Sequence, residues 1–595
     1  MRNDISKPIN TKKTIKNLSK RLFKFKLQLL FILITSIISA IFTIISPKLM
    51  GNITTTVFEG IMKKYQGIGS IDFDKITHIT LITLGLYIIS MIFNVLNTEI
   101  IIYITTTLSK NLRDEISDKI NKLNISFFEK RGRGDILSII TNDIDTLTQS
   151  LSQTIANSVS SLVTIVGILF IMFTINVKMT LVAILILPIA SFIIGFIMSK
   201  SKIHFANQQN NLSNINEHVE ESLTGFNIIK SYNLEENFEE KFDKLNNNLT
   251  NSSIKSQFLS GLLMPIMNFV NNIGYAIISI MGGYYCYHGI IKIGDIQSFL
   301  QYLRSYTQPI SQIAQIANIF QSTLACAERV FNFLEEEEEI KDIENAISTI
   351  PKNASIEFKN VKFGYNTDEI IIKDFSLKVD TGKKIAIVGP TGAGKTTLIK
   401  LLMRFYDINS GDILINNNSI YNYKRSTLRD MFGMVLQETW LFNGSIMDNL
   451  KYSKEDATDE EVINACKMAH AHEFILKYPD GYNTILNEES SNLSQGQKQL
   501  LTIARAILKN PEIIILDEAT SSVDTATEKL INEAMDTLLA NKTSFVIAHR
   551  LSTIQDADTI ICLKDGDIVE MGNHNSLLEK NGFYAELYNS QFQTL

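Results

Sequence analysis

"KKIAIVGPTGAGKTTLIKLL", Lys383–Leu402, reads as strand, turn and helix in immediate succession. Four apolar residues, Ile385–Val388, fit a short buried strand, and the apolar spacing resumes at Leu398 with helical period. Between them, Gly389-Pro-Thr-Gly-Ala-Gly-Lys395-Thr396 fits the phosphate-loop spacing GxxxxGK[ST]. The glycines let backbone N–H groups converge on phosphate oxygens at a helix N-terminus, where the helix dipole also favours an anion. Lys395 is then expected to reach the outer phosphates of a nucleotide, and the Thr396 hydroxyl to ligate Mg2+. Gly389, Thr391, Gly392, Ala393, Gly394 and Thr397 complete the candidate nucleotide-binding set.

A second stretch supplies what such a loop lacks. In "PEIIILDEATSSVD", Pro511–Asp524, the run Ile513–Leu516 fits a strand buried on both faces and delivers Asp517 and Glu518 at its C-terminal end. Open parallel sheets bind ligands at that end. Asp517 is expected to orient the Mg2+ shell, and Glu518 to polarise an attacking water. Two acids ending a strand would otherwise be ordinary surface residues; the phosphate loop gives them a use.

Outward from this core, the chain divides. At 595 residues it exceeds a single core, and its two halves differ in kind. The first part holds long Ile/Leu/Phe runs, and the last alternates short apolar runs with Gly, Asn and charge. A span needs about 20 mostly apolar residues, and six candidates appear: Leu27–Ser46, Ile79–Thr106, Ile155–Ile175, Thr180–Met198, Phe258–Met281 and Ile293–Phe320. The last carries Gln, Asn and Arg304, which suits a helix facing a cavity or a sister subunit. The expected fold is an all-α six-helix transmembrane domain with long cytoplasmic helix extensions, followed by an α/β phosphate-loop ATPase domain.

Basic residues orient the spans. Lys12, Lys13, Lys16, Lys20, Arg21, Lys24 and Lys26 precede the first, and Lys110, Arg113, Lys119, Lys122, Lys130, Arg131 and Arg133 follow the second. Both ends are therefore expected in the cytoplasm, with the chain in the plasma membrane. No signal-peptide exit site appears in the first ~20 residues. "NVK", between the third and fourth spans, is short enough for a tight turn only. Segments near 110–150 and 200–255 are helical in pattern but too charged for lipid, and are expected to continue the spans into the cytoplasm. The expected divisions are a tail over 1–20, a membrane domain over 21–334, a linker over 335–354 and a nucleotide domain over 355–595. The acidic run Glu335–Glu339 reads as solvated linker. A net charge of −6 with acids and bases interleaved argues against a nucleic-acid partner, and the four scattered cysteines against a disulfide or zinc framework.

Taken in order, the motifs resemble those of the ATP-binding cassette (ABC) transporters, in particular exporter halves in which one membrane domain is fused to one nucleotide domain. The resemblance runs nearly the whole length. It takes in Tyr365 of "VKFGY", the phosphate loop, Gln437 of "GMVLQET", Leu493–Gln497, Asp517 and Glu518, Asp524 of "SSVD", and His549 of "VIAHRLST". It implies that Tyr365 stacks on adenine, that Gln437 touches Mg2+ and water, and that His549 contacts the γ-phosphate, with Glu518 as the catalytic acid. It further implies that Ser494, Gln495, Gly496 and Gln497 form a signature facing ATP held by another subunit, that Asp524 lies on a loop crossing to that subunit, and that dimerisation is required. "FFEKRGRGD" and "GFNIIKSY" resemble the family's two coupling segments, placed around Gly132–Asp135 and Gly225–Lys230, and "AERVFNFL" its exit from the sixth span. The cofactors implied are ATP and Mg2+.

One departure bears on the partner. The family signature is Leu-Ser-Gly-Gly-Gln, whereas this chain has Leu-Ser-Gln-Gly-Gln, with Asn487-Glu488-Glu489-Ser490 upstream. A complete hydrolytic face beside a modified signature resembles one half of a heterodimeric bacterial multidrug exporter, paired with a chain whose catalytic acid is degenerate; a homodimer is the alternative. A soluble phosphate-loop enzyme would lack the spans. A gated channel would not require Glu518 and His549. The implied cargo is a small amphiphilic molecule, with a lipid or peptide as the alternative. Asn94, Asn97, Glu99, Asn268, Asn271, Asn272 and Tyr275 are the polar span residues from which a cavity would be built, Glu99 above all.

Overall fold

The computed structural model describes residues 10–366, 369–436, 439–487, 492–517, 524–547 and 554–592. They form two compact units. Met1–Asn121 with Arg133–Glu336 make one, and Lys122–Gly132 with Glu337–Leu595 make the other.

The first unit is helical. Its long helices are Lys26–Tyr65, Phe73–Ile120, Ile144–Ile175, Val177–Thr224, Leu263–Tyr287 and Ile293–Glu335. Among the described residues, the stretches Thr11–Tyr65, Phe73–Ile120 and Arg133–Ile175 are long and apolar enough to cross a membrane. The 48 residues of Phe73–Ile120 extend roughly 70 Å, more than twice the hydrocarbon thickness, so this helix runs on beyond any bilayer. Val177–Thr224 has the same length. The charged segments after the second and fourth spans thus begin as continuations of the same helices, to Ile120 and Thr224, before separate helices follow. At "NVK", Asn176 is extended and its side chain accepts the Met179 N–H at 3.1 Å, so one residue both ends one helix and caps the next. The fifth span differs from the sequence reading: Phe258–Met281 straddles a junction at Leu262, between the helix Glu235–Gly261 and the helix Leu263–Tyr287. Both sides of that junction are apolar, so hydropathy alone does not mark it.

Lipid offers helices no hydrophobic reason to associate, and polar and small residues supply one. Between the first two long helices, Asn97 Nδ2 donates to Ser36 Oγ at 3.1 Å and its Oδ1 accepts from Thr35. Farther along, the Ser39 and Ser90 hydroxyls lie 2.9 Å apart. Between the first and sixth, Gly51 and Gly294 meet so closely that a Cβ on Gly51 would stand 2.3 Å from the Gly294 carbonyl oxygen. Ser298 Oγ seals the crossing by donating to the Pro47 carbonyl at 2.9 Å.

The second unit is α/β. Its main sheet runs, in spatial order, Asp567–Gly572, Thr559–Lys564, Lys384–Val388, Thr543–Ile547, Ile513–Asp517 and Phe432–Val435. Only the first pair is antiparallel. The central strands are buried on both faces, as continuous apolar runs require. A smaller antiparallel sheet, built on Ile356–Phe363, Ile372–Val379 and Ser410–Ile415, packs its Phe358 and Phe375 into one of the two apolar cores flanking the parallel strands. The acidic run is not simple linker. Glu339 is held by Arg425 and Arg429, and its N–H donates to the Lys122 carbonyl at 2.8 Å.

Candidate functional site

Parallel register decides where the chemistry gathers. Ile547 pairs with both Ile387 and Asp517, so the strands leading to the phosphate loop and to the acid end at one level. Phe432–Val435 ends beside them, with Val435 opposite Leu516. Gln437, Glu518 and His549 follow these strand ends in sequence but lie outside the described residues.

The loop itself is built as its composition requires. Gly392 and Gly394 have φ of +84° and +99°, a region that side-chain-bearing residues avoid. Gly394 then opens the helix Lys395–Leu402, and Ala393 is buried beneath it. Lys395 Nζ donates to the carbonyls of Gly389 at 2.7 Å and Pro390 at 3.0 Å, folding back over its own loop. Burial pulls its pKa below the usual lysine value, and the negative charge of Asp517 opposes that shift. A cation held over a turn of backbone N–H groups suits a polyphosphate. Thr396 is exposed on the first helical turn, whereas Thr397 is buried. The Thr396 hydroxyl and the Asp517 carboxylate are hard oxygen donors of the kind Mg2+ takes alongside phosphate oxygens, so the residues present fit a Mg–nucleotide.

Tyr365 lies at the same helix. Its hydroxyl is 3.2 Å from that of Thr397, and its ring meets Tyr406 edge-on at 4.9 Å. Lys400 Nζ, one turn beyond Thr397, stands 5.8 Å from the Tyr365 ring centre. These neighbours lead to a residue that the sequence reading passed over. Glu129, on the short helix Ile125–Lys130, accepts from Lys400 Nζ at 2.7 Å through Oε1 and from the Tyr406 hydroxyl at 2.6 Å through Oε2. Burial works against ionising Glu129, but these two hydrogen bonds and the Lys400 charge outweigh it and hold the carboxyl below its usual range. Glu129, within the first coupling segment, belongs to the same compact unit as Lys400 and Tyr406 and is held there by both. The second, Phe226–Ser231, is a single short helix of the membrane unit.

At the signature, Ser494 is the N-cap of the helix Gln495–Lys509: its Oγ accepts the Gln497 N–H at 3.3 Å, and Gln497 Oε1 accepts the Ser494 N–H at 3.0 Å. Gly496 is buried, and Gln495 is exposed with its amide 3.5 Å from the Thr439 hydroxyl. Asp524 caps the helix Thr525–Leu539 by accepting the Thr527 N–H at 3.0 Å, a bond that holds its carboxyl below the usual value.

The membrane candidates separate into two kinds. Asn97 is buried and spent on Thr35 and Ser36, so it joins helices rather than lining a cavity. Asn271 is half-buried, whereas Asn268 and Asn272, one turn apart, are exposed on the fifth long helix. Glu99 and Asn94 line an open groove of about 560 Å3 with Tyr87, Met91 and Thr98. Tyr275 and Arg304 line another of about 660 Å3, with the guanidinium 5.8 Å from the tyrosine ring centre.

A phosphate loop at the carboxyl edge of a parallel sheet, fused to a bundle of membrane-length helices, defines an ATP-driven membrane transport protein. The chain belongs to the ABC transporter family. The profile of the ABC transporter transmembrane region matches residues 29–310, and a second profile, described as ABC transporter, matches residues 372–521. An uncharacterized ABC transporter ATP-binding protein of Bacillus subtilis is 38% identical over 588 residues, covering 99% of this chain and 96% of its relative. A fatty acid ABC transporter ATP-binding/permease protein of Mycobacterium bovis is 37% identical, with 91% of each chain covered. Among solved structures, a bacterial Atm1-family ABC exporter with ATP bound matches with a TM-score of 0.72 at 27% identity, over 97% of this chain and 98% of the other. The chain is thus an exporter-type half-transporter, an ATPase coupled to transport.

Proposed function

We propose that this chain is one half of a two-chain exporter that moves small amphiphilic molecules out of the cytoplasm or the inner leaflet of the plasma membrane. Two Mg–ATP molecules would draw two nucleotide domains together, each phosphate loop closed by the other chain's Ser494-type signature. Only a ligand that binds the closed pair better than the open one shifts that balance, and hydrolysis resets it. In this scheme Lys395 and the loop amides would hold the phosphates, Thr396, Gln437 and Asp517 would hold Mg2+, and Glu518 would activate water with His549 at the γ-phosphate. Bound nucleotide supplies the transferable phosphoryl group; the protein supplies position and charge.

The observation that carries the reading of the cargo is the pair of open, mixed grooves in the membrane unit, each combining aromatic surface with one charge, Glu99 in one and Arg304 in the other. The fatty acid transporter among the relatives is consistent with an amphiphilic cargo. The test is transport by the assembled transporter in liposomes, using paired cationic and anionic amphiphiles of equal chain length. ATP-dependent movement of at least one class, altered by Glu99→Gln or Arg304→Gln, supports the proposal. Movement of neither class, with ATPase activity intact, would overturn it.

A further inference from the structure

Glu129 spends both carboxylate oxygens on the surroundings of Tyr365. One is bonded to Lys400 and the other to Tyr406, at 2.7 Å and 2.6 Å. Those two partners both pack on the Tyr365 ring, beside the buried Phe363, which meets it edge-on at 5.1 Å. Tyr406 meets it edge-on at 84°, a favoured aromatic geometry, and Lys400 lies over both rings at 5.8 and 5.9 Å. The Tyr365 hydroxyl reaches Thr397, one turn before Lys400 on the same helix face. The contacts therefore close a ring: Thr397, Tyr365, Tyr406, Glu129, Lys400, and back to the helix. The segment carrying Glu129 is tied down independently, by the Leu123–Glu338 bridge and the Glu339 N–H on the Lys122 carbonyl.

An ion pair as exposed as Glu129–Lys400, at 41% and 26%, contributes little to stability by itself. Its geometric effect is larger. Without the carboxylate, the Tyr406 hydroxyl and the Lys400 ammonium lose the acceptor that fixes their orientation, and the Tyr365 ring keeps Phe363 and Thr397 but is less firmly held on its Tyr406 and Lys400 side. Fixing a ring before a base stacks on it removes an ordering cost from binding.

We infer that Glu129 is a positioning residue for the nucleotide base, holding the Tyr365 platform through Lys400 and Tyr406, so that the Ile125–Lys130 segment senses whether a base is stacked there. This inference rests on the reading of Tyr365 as the adenine platform. Its consequence is selective: the base contribution to binding depends on Glu129, and the phosphate contribution does not.

The test uses the full assembled transporter and two probes, Mg–ATP and Mg–tripolyphosphate, which lacks the base. In Glu129→Gln, the KM for ATP should rise ~2- to 10-fold, the span of one aromatic or cation–π contact. That rise should exceed any change in kcat, and inhibition by tripolyphosphate should be unmoved. Tyr406→Phe, which keeps the ring and loses the bond to Glu129, should act in the same direction and guards against misfolding of the first variant. An unchanged KM in both variants overturns the inference, as does equal weakening of ATP and tripolyphosphate. Tyr365→Ala separates the two readings. If it leaves the KM for ATP unchanged, the platform reading itself fails. If it raises KM while Glu129→Gln does not, only the positioning role of Glu129 fails.

Discussion

Glu339 and Arg429 meet at 2.6 Å, and the other carboxylate oxygen of Glu339 stands 3.2 Å from Arg425. Asp342 and Asp407 complete the group with Arg404, so three carboxylates face three guanidinium groups, of which Arg404 and Arg425 are buried. Removing Glu339 leaves two acids facing three guanidinium groups, with buried Arg425 held by Asp407 alone at 3.5 Å, which costs more than one ion pair contributes in isolation. Glu339→Ala should therefore destabilise the nucleotide unit by about 2–3 kcal/mol. Glu337→Ala, two residues away and exposed, should stay within about 0.5 kcal/mol. Thermal unfolding of the purified protein checks both; equal shifts would mean the arginine group is not under this constraint.

The same comparison shows what the sequence could and could not express. The phosphate loop was legible because its backbone geometry admits few residues: Gly392 and Gly394 have positive φ, and Lys395 must bridge the turn. The first three membrane helices were legible because apolar length is itself the physical requirement. Hydropathy does not say which side of a helix meets a neighbour, so Asn97, bonded between helices, looked the same as the exposed Asn94. Glu129 was illegible for a different reason. Its partners lie 271 and 277 residues away, and no local period encodes such a contact. Glu339 was lost inside a run of five acids whose members look alike until the fold sets one against arginines.

Cysteine reactivity offers an independent check of burial. Cys326, Cys466 and Cys562 are buried, and burial pushes their thiols up to about 11, 12 and 12, whereas Cys286 is half-buried. A maleimide attacks the thiolate. At pH 7.5 Cys286 should label at least ~10-fold faster than the other three, and all four should label alike in denaturant. A raised thiol pKa favours the folded state below the ordinary value near 8.5, and this advantage is lost as pH climbs from there towards 12. Mass spectrometry of the labelled protein reads the result. Rapid labelling of Cys466 in native protein would contradict its place in the core.

Lys395 tests the loop. Its ammonium now satisfies two carbonyls of its own turn, and bound phosphate would take over one or both bonds as charge-assisted contacts. Lys395→Ala should weaken Mg–ATP binding roughly 10-fold or more, since such a bond is worth about 1.5–3 kcal/mol, and should remove turnover with it. Lys395→Arg should not restore either, because a planar guanidinium does not replace a compact ammonium over a tight turn. Nucleotide titration by fluorescence or calorimetry distinguishes this from a fault in catalysis alone, in which binding would survive.

On one face this chain carries a complete loop, with Lys395 and Thr396 in place and Asp517 at the neighbouring strand end. On the other, its signature helix is capped in the ordinary way by Ser494, but Gln495 stands beside the cap where a glycine would leave the approach to the helix amides open. An exposed glutamine there, reaching only as far as Thr439 at 3.5 Å, narrows the room for a phosphate presented by another chain. On the unequal-pair reading, Gln495 would cover a site that needs to hold ATP without cleaving it quickly, while the loop of this chain would be completed by a partner with an ordinary signature. In the mixed pair, Glu518→Gln should lower turnover about 10²–10³-fold, the usual loss for one transition-state contact. The matching change in the partner should alter it less than about 3-fold, because a degenerate acid has little transition-state stabilisation left to lose. Gln495→Gly should raise hydrolysis only at the partner's site, and only if that site regains a catalytic acid. Co-expression with a second half-transporter, followed by ATPase assays on each variant, checks all three. A stable self-dimer with full cargo-stimulated ATPase, indifferent to any partner and to Gln495→Gly, would overturn the unequal pair.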